Sequence, residues 1–512
     1  MNTKILIIMA FSGASILLGC NSRSEPIETS ALIETIQNDR AVIYQKPEIS
    51  QGLNEKLRIE DALALAIKYN LDTKVSEMDE LIAADDVDLQ MLSALPTVTT
   101  NLQRQGRNNR GGSSSFSLLT NSESLEPSIS QEQYRNVVQL TTEWNLLDAG
   151  INLWRGKSVS DQLLIAQERR RKIYQSVVQD TYIAYWRAAI AQRFLPEIDQ
   201  MMSQISEAIE DTDRKVEQGV VAVGDAQAEK AELIEKQMQL SRTQSGLQLA
   251  DLELKTLIAY PLDANLTLDL EDWDPSSITT LPSVETSIDG LEKIALINRP
   301  ELREEFLNKR ISTRDIKLSI AETIPGLELL FTYNYDSNKF LAFNNWIDGI
   351  AGITSSINQI ITAPSRYKRA QNADLLSDKR RQALTAAIIT QVHISRARYD
   401  SLSKEYKKHF EKIAHGENVL KRAVDYNSVG LMSESELALV KIDTNIDKIN
   451  KAFAYADAQD AYARFINTLG IDFWDQESPD LSIQEYANRI KNNFYNVEAF
   501  NVSQAQDNEV LQ

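Results

Sequence analysis

The sequence has one cysteine, three histidines and a deficit of basic residues. A single cysteine, Cys20, excludes an internal disulfide and a cysteine-rich metal site. The chain has 54 Lys and Arg against 73 Asp and Glu, which gives a formal net charge of −19. No basic cluster is large enough to follow a phosphate backbone, so nucleic acid is not an expected partner.

Residues that could carry catalysis or hold a cofactor are also scarce. The three histidines lie in predicted helices without the spacing of metal ligands, and the sequence has no nucleophile elbow and no Gly-rich phosphate loop. They are His393, His409 and His415. Asp85, Asp86 and Asp88 lack the rest of a calcium-binding loop, so a solvated helix face is the favoured interpretation. We expect no enzyme activity, no resident metal and no cofactor.

The N-terminus has the pattern of a lipoprotein signal peptide. Lys4 precedes an apolar stretch from Ile5 to Ile16, and the sequence Leu-Leu-Gly-Cys ends at Cys20. This sequence looks like a lipobox, which implies removal of residues 1–19 and lipidation of Cys20. Asn21 at the next position favours the outer membrane. The alternative is an ordinary secretory peptide. After Cys20 no run approaches 18 apolar residues, so no transmembrane helix is predicted.

Two long helical hairpins organise the rest of the chain. They are predicted at about 151–260 and 365–470, and the sequence has no proline between Pro364 and Pro479. A continuous helix from Pro364 to Gly430 would be about 100 Å long at roughly 1.5 Å per residue. A compact domain cannot bury such a helix. We therefore expect it to lie along copies of itself or along its repeat partner.

The chain contains an internal duplication. Ala66 and Ala295 are separated by 295 − 66 = 229 residues, and Pro96 and Pro325 by the same number. Further along, Gly219 and Gly430 are separated by 430 − 219 = 211 residues. The difference, 229 − 211 = 18 residues, predicts an insertion in the first copy, in a loop within 106–131.

Each copy is predicted to contain a helix, a β-hairpin and a long helical hairpin. The first helices, at about 57–94 and 288–323, end before a proline, and alternating residues then indicate strands. The apolar alternating face is aromatic-rich and includes Phe331, Tyr333, Tyr335, Trp144 and Trp346. This face is typical of strands in contact with lipid, although a small sheet packed on the helices is the alternative. Four spanning strands are too few to close a barrel, so several chains would share one.

These features together resemble the TolC-type outer membrane efflux family, in its lipoprotein branch. The resemblance covers about 57–470 and includes Leu-Leu-Asp-Ala-Gly at 146–150 and Asn-Arg-Pro-Glu-Leu at 298–302. It implies a mainly α fold with a transmembrane β-barrel portion. Three chains would form a 12-stranded β-barrel in the outer membrane and a 12-helix α-barrel in the periplasm.

The resemblance also implies a domain layout. Residues 20–56 form a lipid-anchored arm, and 261–287 and 471–512 form an equatorial linker and a C-terminal equatorial segment. The first repeat, 57–260, contains a β-hairpin at about 96–148 and an α-hairpin at about 151–260. The second repeat, 288–470, contains a β-hairpin at about 325–361 and an α-hairpin at about 365–470.

In this family, function is expected at the tips of the helical hairpins. Val429, Gly430 and Leu431 match a Val-Gly-Leu turn that docks a periplasmic adaptor, whereas Gly219 and Val220 keep only the glycine of that turn. Both glycines are in any case expected to be helix C-caps. Six residues beyond each glycine, the family often has carboxylates that narrow the periplasmic entrance. Those positions are Asp225 and Glu436.

Two positions near the second tip depart from the family pattern. Leu439 replaces a second carboxylate and Met432 replaces a gate arginine, so the same salt-bridge latch is not expected. Asp225 has a simpler interpretation as an acidic residue at the positive end of its helix.

The resemblance implies a passive homotrimeric conduit in the outer membrane lipid. It would export small molecules across the periplasm and outer membrane, and a periplasmic adaptor (membrane fusion protein) and an inner-membrane pump would open it. One alternative is an outer membrane channel for type I protein secretion. The other is a periplasmic coiled-coil lipoprotein scaffold without a pore.

Overall fold

The computed structural model describes residues 28–43, 56–123, 126–270, 281–284, 286–472 and 481–494. Cys20, the predicted signal peptide and parts of the two predicted equatorial segments lie outside these residues. The described residues form ten helices and six strands. In chain order they are α1 (Thr29–Ile43), α2 (Ile59–Tyr69), α3 (Leu71–Leu92), β1 (Thr97–Gly106), β2 (Phe116–Ser117), β3 (Ser122–Glu123), β4 (Tyr134–Asn145), α4 (Leu146–Glu217), α5 (Val223–Leu257), α6 (Ile288–Asn298), α7 (Pro300–Ala321), β5 (Gly326–Asp336), β6 (Asn345–Thr354), α8 (Ile357–Ser428), α9 (Glu434–Thr468) and α10 (Ile483–Phe494).

The duplication is visible in the lengths of the helices. α2 and α6 have 11 residues each, α3 and α7 have 22, α4 and α8 have 72, and α5 and α9 have 35. The extra residues of the first copy lie between β1 and β4, where 107–133 corresponds to 337–344 in the second copy. The predicted hairpin loop is confirmed there, since β2 pairs with β3 in this segment.

Two predicted helices are each broken into two. The prediction of single helices at 57–94 and 288–323 is wrong, because the chain is extended at Asn70 (ψ 136°) and Arg299 (ψ 120°). Asn70 caps α3 by accepting a hydrogen bond from the backbone N–H of Asp72 at 2.9 Å. Arg299 precedes Pro300, which disfavours helical backbone at the residue before it.

The long helices begin earlier than predicted. α4 begins at Leu146, because Asn145 caps it through the backbone N–H groups of Leu147 and Asp148, both at 3.1 Å. α8 begins at Ile357 and continues through Pro364, so the strand predicted to reach residue 361 ends at Thr354. A proline removes one backbone hydrogen bond, and a helix of 72 residues keeps enough others to tolerate the loss.

The four long strands form one antiparallel sheet in the order β1-β4-β5-β6. Leu140 lies opposite Tyr333 on an apolar face, whereas Gln139 lies opposite Asn334 on a polar face. Trp346 was predicted on the aromatic face but pairs with Asn334 on the polar one. The prediction fails because adjacent residues of a strand point to opposite faces, and the assignment was out of register by one residue.

The helices continue the order of the strands. α3 contacts α4, α4 contacts α7, and α7 contacts α8. Further from the sheet, α5 packs on α4, and α9 packs on both α4 and α8. The sheet and the helices next to it therefore form one continuous wall. Its flanks are β1 and α3 on one side and β6 and α8 on the other.

The main hydrophobic core lies around the middle of the wall. α2 is buried there against α4 and α10, and Leu63 and Leu65 are fully enclosed. Leu57 adds a short parallel bridge, since its backbone N–H donates to the carbonyl of Thr267 at 2.8 Å. In the described part of the chain, no helix combines the length and the apolar character needed to cross a membrane.

Candidate functional sites at the hairpin tips

Both helical hairpins turn through the same backbone motif. Gly219 has φ +67° and Gly430 has φ +76°, which L side chains adopt only with strain. The N–H of Val220 donates to the carbonyl of Lys215 at 2.9 Å, and the N–H of Leu431 donates to that of Tyr426 at 2.9 Å. These are Schellman C-caps, so the predicted capping role of both glycines is confirmed.

The tips expose apolar side chains at one end of the molecule. Val220 is 69 % exposed, Val429 67 % and Leu431 77 %. The two tips lie side by side, because Lys215 of α4 donates a hydrogen bond to Ser435 of α9 at 2.8 Å. The predicted docking residues of both repeats are therefore brought together on one surface. Exposed apolar side chains that are grouped in this way, rather than scattered singly, are typical of a surface that binds a partner.

The two predicted entrance carboxylates have different local roles. Glu436 forms a capping box, in which it accepts hydrogen bonds from the Ser433 backbone N–H at 2.8 Å and the Ser433 hydroxyl at 2.9 Å. These hydrogen bonds, led by the one from the backbone, lower the pKa of Glu436. Asp225 is exposed in the first turn of α5 and forms no ion pair with any described residue.

A polar link joins α4 to α9 just above the tips. Lys215 donates to Asp211 at 2.7 Å as well as to Ser435, whose side chain is buried. The hydrogen bond from Lys215 lowers the pKa of Asp211. Ser433 caps α9, since its hydroxyl accepts a hydrogen bond from the backbone N–H of Glu436 at 3.1 Å. No local pattern in the sequence indicates the contact of Ser435 with α4.

The remaining polar residues considered from the sequence do not converge on a site. His393 lies 2.7 Å from Glu292 in a surface contact between α8 and α6. Asp85, Asp86 and Asp88 are exposed on α3. In the described residues, no three His, Cys, Asp or Glu side chains are grouped closely enough to hold a metal ion.

The fold was compared with known proteins. No protein-family model and no curated protein sequence matches the chain. Among solved structures, it superposes on the Campylobacter jejuni CmeC outer membrane channel with a TM-score of 0.63, 14% identity, and coverage of 84% of this chain and 89% of that one. The chain has the fold of TolC-type outer membrane channels.

Two further structures agree. The open state of the Neisseria gonorrhoeae MtrE outer membrane channel gives a TM-score of 0.62 at 16% identity, covering 81% of this chain and 89% of that one. CusC, a protein that forms a transmembrane channel, gives a TM-score of 0.62 at 15% identity. The superposition covers 84% of this chain and 99% of that one. The TolC-type resemblance indicated by the sequence is thus confirmed at the level of the fold.

Proposed function

We propose that three copies of the chain form a closed tube for the export of small molecules across the periplasm and outer membrane. The observation that carries this proposal is the pair of free edges of the sheet, β1 and β6. In hydrocarbon such edges would leave backbone groups without partners. Pairing of β6 with β1 of the next copy satisfies them, and this head-to-tail contact closes into a ring. Three chains supply 12 strands, an even number as in other barrels.

The free flanks of the helical wall support the same closure. α3, which leads into β1, carries a stripe of exposed apolar residues at helical spacing: Leu71, Val75, Met78, Ile82 and Leu89. α8, which follows β6, exposes Ile357, Ile361 and Leu375. In a ring, α3 of one copy faces α8 of the next, and both sets become buried.

The two faces of the sheet fit a wall between lipid and water. The aromatic face contacts lipid, and the polar face lines the lumen. On the polar face, Arg135 pairs with Asp336 at 2.7 Å and Trp346 donates to Asp348 at 2.9 Å. A lipid on Cys20 would anchor the N-terminal arm to the same membrane.

The hairpin tips are the proposed docking surface for a periplasmic adaptor that recruits an inner-membrane pump. Gly219, Val220, Val429, Gly430 and Leu431 would meet the adaptor. Binding would favour an arrangement in which the tips separate and the entrance opens. Asp225 and Glu436 are both exposed at this entrance, and the charge of Glu436 also caps α9.

Single-channel recording in planar bilayers tests the tube. We expect the purified full-length protein to produce discrete conductance steps and to migrate as a heat-dissociable trimer on gels. A protein that is monomeric in detergent and silent in bilayers would contradict the proposal and favour the pore-less scaffold.

A pair of matched variants tests the tips. Leu431→Asp places a charge at the docking surface, and Leu118→Asp places one at a 93 % exposed position beyond the opposite end of the sheet. Both variants should conduct in bilayers. In cells with the cognate pump, only Leu431→Asp should increase accumulation of ethidium. Equal accumulation in both variants would contradict docking at the tips.

A further inference from the structure

A cleft lies between α4 and α7, next to the end of the sheet. It encloses about 490 Å³. Its α4 side is formed by residues at successive turns of one helix face: Leu146, Gly150, Leu153 and Trp154. The opposite face of α4 at the same level carries Asp148 and Arg155. The cleft is therefore an apolar groove along one face of α4, and the opposite face is polar at this level.

Two lysines border this groove and flank its tryptophan. Nζ of Lys157 lies 5.8 Å from the ring centroid of Trp154, and Nζ of Lys317 lies 5.9 Å from it. Both lysines are exposed, and neither forms an ion pair with a described residue. By contrast, Lys309 and Arg310 on the same helix, α7, each bind a carboxylate. The two ammonium groups therefore border the groove without a carboxylate of the described chain to neutralise them.

The position of the groove fits the membrane surface. This step rests on the proposed function, in which the sheet crosses the outer membrane. Leu146 is the first residue after β4, and Trp154 lies eight residues (154 − 146) further along α4. That distance is about 12 Å along the helix axis. The headgroup region occupies about 5 to 8 Å on each side of the hydrocarbon core. Leu146 and Gly150 therefore lie at the headgroup level, and the backbone of Trp154 lies just outside it on the periplasmic side. Side chains of a helix point back toward its N-terminus, so Trp154 and Lys157 reach toward the headgroups, where Trp and Lys concentrate.

We propose that the groove binds one phospholipid of the inner leaflet. An acyl chain lies along Leu146, Gly150 and Leu153, and the phosphate binds the ammonium groups of Lys157 and Lys317. The lysines distinguish this occupant from the acyl chains on Cys20, because a lipidated cysteine has no phosphate group for them to bind.

The second repeat provides an internal control. The duplication offsets relate Trp154 to Ser365 (154 + 211), Lys157 to Lys368 (157 + 211) and Lys317 to Asp88 (317 − 229). The corresponding position thus has one lysine, no tryptophan and an aspartate in place of the second cation. It should not retain an anionic lipid.

Native mass spectrometry of the full-length protein in detergent tests the site. The probes are phosphatidylglycerol, phosphatidylethanolamine and diacylglycerol, which differ in charge and in the presence of phosphate. We expect tightest binding of phosphatidylglycerol. The double variant K157Q/K317Q should weaken that binding about tenfold, as expected for two surface lysines acting on an anionic lipid. K368Q should bind like the unaltered protein.

Three outcomes would overturn the proposal. They are unchanged phosphatidylglycerol binding in K157Q/K317Q, an equal loss in K368Q, and diacylglycerol binding as tight as that of phosphatidylglycerol. Conductance recorded in parallel separates this site from the tube. A conducting protein that fails the lipid test refutes only the groove. A silent, monomeric protein that passes it refutes the tube and leaves a lysine-dependent lipid site.

Discussion

The two repeats have helices of equal length but differ where those helices are joined. In the first copy, Asn70 donates a hydrogen bond from its side chain to the carbonyl of Leu257, at the end of α5, at 3.1 Å. In the second, Arg299 occupies the equivalent position and donates to Thr468, at the end of α9, at 3.3 Å. The same contact is thus made by a short amide in one copy and a long guanidinium in the other.

The residue that ends each returning helix differs in a related way. Ala259 in the first copy corresponds to Gly470 in the second, and both have left-handed backbone, with φ +52° and +69°. A Cβ on Gly470 would lie 2.8 Å from the backbone N of Arg299. The close approach of the backbone therefore excludes a side chain at Gly470, whereas the first copy has one at Ala259. The two copies keep equal helix lengths because their helices pack side by side in one wall. The connections between the helices are not constrained in this way and have diverged.

The largest expected effect comes from Gly470→Ala. The new Cβ would meet backbone atoms of Asn298 and Arg299 at 2.8 to 2.9 Å, in a left-handed conformation that is already strained for alanine. We expect a loss of about 3 kcal/mol. Gly219→Ala is the control, because Gly219 has a similar φ and no atom within 4 Å of the added Cβ. It should cost about 1 kcal/mol.

Thermal loss of the helical circular dichroism signal measures both glycine variants. Gly470→Ala should lower the midpoint clearly more than Gly219→Ala does. Equal shifts would mean that only the backbone conformation matters at Gly470, and that the close approach to Arg299 relaxes without cost.

An intermediate effect on stability is expected at the hairpin tips when the pH is lowered. The pKa of Glu436 is lowered in the folded protein, so its cap stabilises α9 above the ordinary value of 4.5 and is lost as pH falls through the lower folded-state pKa. Because Glu436 is exposed, the loss should be below about 1 kcal/mol. Asp225 accepts no capping hydrogen bond from any described residue, so the first tip has no matching cap to lose.

Spin labels at the tips can measure this difference. A label on Leu431→Cys should gain mobility as the pH falls below 4.5, more than a label on Val220→Cys does. Asp211, whose pKa is also lowered, links α4 to α9 and should affect both labels. Adding Glu436→Gln should remove the excess response at the second tip. An unchanged difference in that variant would assign it to another group.

Much of this architecture could be predicted from the sequence because its signals are local and repeated. The alternation from Leu327 to Tyr335 predicted β5, and the separation of Gly219 from Gly430 predicted equivalent turns. The insertion in 106–131 followed from the change in that separation. These inferences depend only on residue spacing, which the fold preserves.

The errors have physical causes that spacing does not reveal. Pro364 suggested a helix start, but a helix of 72 residues keeps enough other hydrogen bonds to continue through it. The break at Asn70 depends on capping and the break at Arg299 on Pro300. The apolar patterns of α2 and α6 obscured these two signals. The link from Lys215 to Ser435 joins residues 220 positions apart (435 − 215), and no local pattern identifies such a pair.

The smallest expected effect is a gain of stability from Ala259→Gly. Left-handed backbone disfavours alanine by about 1 kcal/mol, and glycine removes that strain but loses more chain entropy on folding. The net gain should be about 0.5 kcal/mol. Ala228→Gly, at an exposed position inside α5, should instead cost about 1 kcal/mol. Midpoints of thermal unfolding that move in opposite directions would support this account. A parallel decrease would show that the Cβ of Ala259 makes a favourable contact, and the two repeats would then differ in packing at this position as well as in backbone strain.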